Sequence, residues 1–247
     1  MSLMIHTLCR DGVVVVADTR TTIKDNTGSV RYDDTAEKIV PFPNNIVVSH
    51  CGSAKVKKDL TVSQFLYDLR RRVGNKLTIL DLPLEILMNY VRLQGTGDVT
   101  FLVSGQLKCS RLCYMYEIKP RCKTVSLIFD SSNCGAAYRG MTDMAHVIMN
   151  SGIDYANLSI DSAIDLTKMC LCANLTAYKY NKEQVVGGQC QVYVIDVLHN
   201  QVGWFDNEGH ILADANAPSD GLEQYEERRQ QRLLKQFEKN IQRKRKG

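Results

Sequence analysis

Almost uninterrupted apolar, β-branched residues run from Met4 to Leu8 and again from Val13 to Asp18, and Arg10-Asp11-Gly12 between them has turn chemistry. The pattern predicts a β-hairpin at the start of the chain. After a polar loop from Lys24 to Asp34, containing Asn26-Thr27-Gly28, two further strands are expected at 38–42 and 45–49 around Pro43-Asn44. Val62, Phe65, Leu66, Leu69 and Val73 then recur at helical spacing among Lys, Arg, Asp and Gln, which marks a helix with one packed and one solvated face. A second helix follows, with Asp81 as its cap, Pro83 in its first turn and Leu84, Leu87, Met88 and Val91 as its stripe, ended by Gly95-Thr96-Gly97. Strand-like runs at 99–104, 112–118 and 124–129 come next. Tyr138, Met141, Ala145 and Ile148 mark a third helix, and a fourth runs from about Ser159 to Tyr180. Beyond the break at Gly187-Gly188, 191–197 and 201–205 read as two more strands.

Strand runs separated by helix pairs, without βαβ alternation, predict an α+β protein: a four-layer αββα sandwich of two antiparallel sheets. It should occupy residues 1–205. Residues 206–247 are a linker, around Ala215–Ser219, and a charged C-terminal helical tail with Leu222, Tyr225, Leu233, Leu234 and Phe237 as a thin apolar set.

The charge distribution singles out that tail. From Arg228 to Lys246 nine basic residues and one acidic residue give +8, so the rest of the chain sums to −4 against a whole-chain charge of +4. The basic run lacks the interleaved aromatics that stack on bases, so nucleic acid is not the expected partner. No segment has the roughly 20 apolar residues of a membrane span, and the N-terminus lacks a secretory pattern, which makes the cytoplasm the expected compartment. Nine cysteines, odd in number and mostly within apolar runs, read as reduced core residues; Cys170-x-Cys172 has no second pair at zinc spacing, so no metal site is expected.

The run Cys9-Arg10-Asp11-Gly12-Val13-Val14-Val15-Val16-Ala17-Asp18-Thr19-Arg20 resembles the opening of proteasome β subunits and of the HslV-type peptidase. The likeness extends to Lys38-Ile39, Gly52-Ser53-Ala54 and Gly187-Gly188, over about residues 2 to 205. It implies the N-terminal-nucleophile (Ntn) hydrolase fold and the chemistry of the threonine-protease clan. Counting back from the turn, Ser2 takes the nucleophile's place once Met1 is removed, Asp18 and Lys38 correspond to the accompanying acid and lysine, and Gly52 to the oxyanion donor. Arg20 and Glu183 are implied as supporting residues, and Ala36, His50, Ala54 and Lys58 as the pocket for the residue preceding the cut bond.

The chemistry is coherent. A serine hydroxyl needs an adjacent base, and an α-amino group with an ordinary pKa near 7.7–8.0 supplies one on the same residue. A nearby lysine lowers the pKa of both groups, and a carboxylate fixes the lysine. No cofactor is required. The sequence also departs from the family: a Gly-Ser-Gly whose serine supports the amine aligns with Cys134-Gly135-Ala136, and Val186 replaces a hydrogen-bonding residue. The resemblance implies peptide or unfolded-protein substrates and a ring of β-type subunits, homo-oligomeric or mixed, with an ATPase or partner ring as a further candidate. The alternative is a catalytically inactive ring subunit, which follows if the natural chain starts at Met4.

Overall fold

The computed structural model describes residues 2–24, 29–180, 186–205 and 210–213. Asn26-Thr27-Gly28, Glu183 and nearly all of the linker and tail lie outside these residues.

β1 (Leu3–Cys9) and β2 (Gly12–Asp18) form the opening hairpin, paired from Met4↔Ala17 to Cys9↔Gly12. Every residue of both strands is buried, so their runs are apolar on both faces instead of alternating. β3 (Thr21–Lys24) and β4 (Val30–Asp33) make a small hairpin where a polar loop was expected. All four residues of β4 are exposed, and a strand with no face in the core carries no hydrophobic period. β5 (Ile39–Phe42) and β6 (Ile46–Gly52) turn at Asn44 and Asn45, both at positive φ, a conformation asparagine tolerates. The short pair β7 (Lys55–Lys57) and β8 (Leu60–Thr61) leads into α1 (Val62–Val73), which starts at a capping box between Thr61 and Gln64.

α2 (Leu82–Arg92) has Pro83 in its first turn, but Asp81 does not cap it: its Oδ2 accepts from the amide and hydroxyl of Thr78 instead (3.0 and 2.6 Å). β9 (Val99–Gln106), β10 (Cys113–Lys119) and β11 (Thr124–Asp130) follow as expected. The next segment corrects the sequence reading. Tyr138 belongs to β12 (Gly135–Gly140), and the helix, α3 (Asp143–Met149), starts only afterwards. Tyr138, Met141 and Ile148 all pack on the same apolar core, so strand and helix together imitate one helical period. α4 (Ile160–Lys179), capped by Ser159, precedes β13 (Cys190–Asp196), β14 (Gln201–Phe205) and β15 (Ile211–Ala213).

Two sheets result, in the orders β12-β1-β2-β13-β14-β15 and β11-β10-β9-β6-β5. Alternate residues of the central hairpin serve two cores. Met4, Leu8, Val13, Val15 and Ala17 meet Ile39, Val47, Leu102 and Met115 between the sheets. Leu3, Ile5, Val14 and Val16 face Ala163, Ile164, Cys170 and Leu171 of α4. On the far side of the second sheet Phe101 packs with Phe65 of α1 and Tyr90 of α2. The layers are α3/α4, six strands, five strands and α1/α2, the αββα sandwich. Between the sheets His6, fully buried, joins Ser104 (2.7 Å) and Ser49 (2.6 Å).

Candidate active site

Ser2 directly precedes β1 and is buried, 7% exposed. Its backbone is held from the β12 side: Leu3 pairs with Gly140, and the amide of Met141 donates to the Ser2 carbonyl (3.0 Å). Gly140 has φ +100°, and a Cβ there would run into the Ser2 carbonyl oxygen, so only glycine lets the two backbones approach this closely.

Asp18 ends β2 with no solvent exposure. Its Oδ1 accepts from the Leu3 amide (2.8 Å) and from Lys38 Nζ (2.7 Å), while Oδ2 accepts from the Gly187 amide (3.2 Å). Lys38, 2% exposed, stands immediately before β5 and donates also to the Arg20 carbonyl (2.6 Å). Its own backbone is fixed by Gln191 Oε1 (3.3 Å) and the His50 amide (3.2 Å). Burial holds the Lys38 ammonium below its ordinary pKa, and the negative charge of Asp18 opposes that fall. Because the Leu3 amide and the ammonium meet on one carboxylate oxygen, the Ser2–Leu3 peptide and Lys38 are neighbours.

Arg20 buttresses this centre. Its guanidinium makes a bidentate pair with Asp34 (2.6 and 2.7 Å), lies 4.9 Å from the Tyr32 ring centroid and fills the space where a Cβ of Gly187 would stand. Gly188, at φ +78°, leaves room for Thr19, whose hydroxyl accepts from the Gln189 amide (2.8 Å). The glycine pair therefore admits Arg20 and Thr19, and Asp18 takes a hydrogen bond from its first amide.

Gly52 ends β6, exposed and at φ +95°. The sequence argument gave it to the approach of a substrate carbonyl. The structure adds a stricter reason, since a Cβ would collide with the Asp98 carbonyl. His50 stands opposite Lys38, two residues before Gly52 on the same strand, and is buried. Burial and the Lys38 charge push its pKa down to about 4. It is buried beside Lys38, with Nε2 3.5 Å from Ser63 Oγ. Ala36 is half-buried and donates its amide to Thr19 (3.0 Å); Ala54 and Lys58 are exposed at the β7–β8 pair. The structure thus brings Ala36 and His50 to the Lys38 centre and leaves Ala54 and Lys58 on the surface.

The strand register corrects one alignment. Gly135 and Ala136 pair with Leu8 and Thr7, at the opposite end of β1 from Ser2; the segment beside Ser2 is Gly140-Met141. Val186 is buried in the apolar core. Asp34, Thr19, Gln191 and Gly140 were not picked out from sequence. Of these, only Gly140 carries a sequence signal, a lone glycine closing an apolar strand.

No family model and no curated protein sequence matches this chain. Among solved structures, Anbu (ancestral beta-subunit) from Yersinia bercovieri is similar, with 15% identity and a TM-score of 0.59 over 78% of this chain and 80% of that one. A Gly-1 mutant of Anbu from Hyphomicrobium sp. strain MC1 matches at 13% identity and a TM-score of 0.62, covering 97% of each chain. These neighbours correct the resemblance drawn from the opening segment. They are Anbu proteins, and not the proteasome β subunits or HslV peptidases to which the segment was assigned. The hairpin, Asp18, Arg20 and Lys38 build the sandwich's centre, so a match at these positions reports the fold and does not separate its branches. The fold of this chain is that of the Anbu structures, and no helix of the described residues is long and apolar enough to cross a membrane.

Proposed function

We propose that this chain is an intracellular N-terminal-nucleophile hydrolase of Anbu type that opens peptide (amide) bonds by acyl transfer through Ser2. The observation that carries this reading is the shared Asp18 oxygen, which sets the Ser2–Leu3 peptide beside a buried lysine. With Met1 removed, the Ser2 amine takes the proton as Oγ attacks the carbonyl carbon. Lys38 lowers the cost of the developing oxygen charge, and an N–H at Gly52 receives the oxyanion. The amine returns the proton to the leaving nitrogen, and water then releases the acyl group from Ser2. Asp18 and Arg20 act as positioning residues for Lys38. Peptides or unfolded segments are the substrate class, and assembly with further copies in a ring is part of the reading.

A second reading, a non-catalytic ring subunit, is favoured by one observation: the residue bonded to the Ser2 carbonyl is Met141, which offers an amide but no side-chain hydroxyl. Incubating the full chain with a β-lactone or epoxyketone electrophile and mapping the N-terminal peptide by mass spectrometry separates the two. An adduct on a chain beginning at Ser2, lost in Lys38→Ala, supports the hydrolase. A chain beginning at Ser2 that takes up no adduct would leave the scaffold reading.

A further inference from the structure

We propose that the outer face of α2 is a self-complementary docking surface on which a second copy of this chain pairs antiparallel. The inward face of α2 is settled by its buried Leu82, Pro83, Ile86 and Tyr90. On its outward face Leu84 is 56%, Met88 48% and Val91 45% exposed, with Leu80, 49% exposed, in the turn that leads in. Residues three and four apart share a helix face, so Leu84, Met88 and Val91 form one stripe within an arc of about 60°. Scattered surface leucines are ordinary, but a contiguous apolar helix face marks an interface.

The charges choose the occupant. At 100° per residue Asp81 and Arg92 both fall on the same flank of the stripe, one at each end of the helix, and both are exposed. When two identical helices pair antiparallel, like flanks face each other. Asp81 of one copy then meets Arg92 of the other, twice, about a two-fold axis at mid-helix, level with residues 86 and 87, and the two helix dipoles run in opposite directions. Asp81 is suited to this, because Thr78 engages only its Oδ2. A cleft of about 380 Å³ beside Arg92 is lined also by Arg71, Arg72 and Asp68, three cations against one anion, which leaves a positive field where the incoming Asp81 arrives. A parallel pair would instead set this flank against the opposite flank of the partner, on both sides of the seam, and would leave Asp81 and Arg92 without each other.

The eleven-residue helix is roughly 16 Å long, too short to bury alone the ~800 Å² per partner of a standard interface. The pairing is therefore concentration-dependent for two isolated chains and grows stronger where several copies face each other. It does not depend on Ser2 being active.

Sedimentation of the full-length chain over a range of concentrations tests it. The wild-type weight-average mass should rise to twice that of Leu84→Asp at the same concentration, a ratio independent of how many copies the smaller unit holds. Asp81→Arg and Arg92→Glu should each reduce the mass, and the double variant Asp81→Arg/Arg92→Glu should restore it. Equal masses for wild type and Leu84→Asp, or a double variant no heavier than the singles while its circular dichroism is native, would overturn the pairing. If Asp81→Arg disturbs the Thr78 turn and does not fold, Leu84→Asp, at an exposed site the fold does not need, decides the matter alone.

Discussion

The Asp18–Lys38 pair is the place where stability and chemistry can be separated by experiment. Asp18 is fully buried and receives three hydrogen bonds, two from peptide N–H groups and one from Lys38. Breaking a buried ion pair from one side leaves the other charge uncompensated, at a cost of about 3–5 kcal/mol. Lys38→Met belongs at the lower end of that range, since the carboxylate keeps the Leu3 and Gly187 amides. Asp18→Asn belongs at the upper end, since the ammonium keeps only an amide oxygen and the Arg20 carbonyl. For a chain of this size each kcal/mol is about 2–4 °C of melting temperature, so each single change should lower Tm by roughly 6–20 °C. The double variant removes both charges; beyond the N–H of Leu3 or Gly187 that the asparagine cannot accept from, a loss it shares with Asp18→Asn alone, it leaves only the Arg20 carbonyl without its donor, a cost of about 1–3 kcal/mol. The pair should therefore couple by about 3 kcal/mol or more, measured by urea unfolding of all four proteins, although none of the three variants would label at Ser2. A double variant as unstable as the sum of the singles would refute the claim that the pair is one electrostatic unit. The sign of the pH dependence supplies a second check. Lys38 is held below its ordinary 10.5, so its burial penalty is present below the folded pKa and is relieved as pH rises from there toward 10.5. Asp18→Asn removes the opposing charge, so its stability should climb more steeply with pH in that window.

Two further outcomes follow from buried groups. His6 and His50 have pKa values lowered by burial to about 3 and about 4, so the stability they confer is complete above 6.5 and is lost as pH falls toward those values. Between pH 6.5 and 5, where few carboxylates titrate, the two together should cost about 3 kcal/mol in urea unfolding, and His6→Gln should remove about half of that slope. Gly140→Ala forces a side chain into positive φ against the Ser2 carbonyl, so a loss of at least about 1–3 kcal/mol and of Ser2 labelling is expected, whereas Gly152→Ala, also at positive φ but with open space around it, should lose only stability.

Much of this was legible in the residues. Val62–Val73 and 201–205 have the spans their patterns predict: the helix presents one packed face and stops at Gly74, and the strand starts straight after a turn at 197–200. Asp18, Lys38 and Arg20 could be named because the run from Cys9 to Arg20 and the Lys38-Ile39 pair resemble a known opening. What escaped was long-range. Nothing near Asp34 in the sequence says that Arg20 will reach it, and nothing near Gly140 says that it will lie beside Ser2. A strand and helix that share one core read as a single helix from Tyr138 to Ile148 until the pairing with β1 is known. The branch of the fold was likewise hidden, because the residues that carried the resemblance are those that build its centre.

The position of β1 inside its sheet has a consequence for the birth of the protein. β1 is made well before one of its neighbours, β12 at 135–140, and β2 well before β13 at 190–196. Contacts between segments so far apart along the chain form late, after loop closure over most of its length. The segment around Ser2 therefore spends much of synthesis without its β12 partner. Closure of the central sheet then buries Ser2, so the site proposed around it is completed only when the last strands of that sheet have been made.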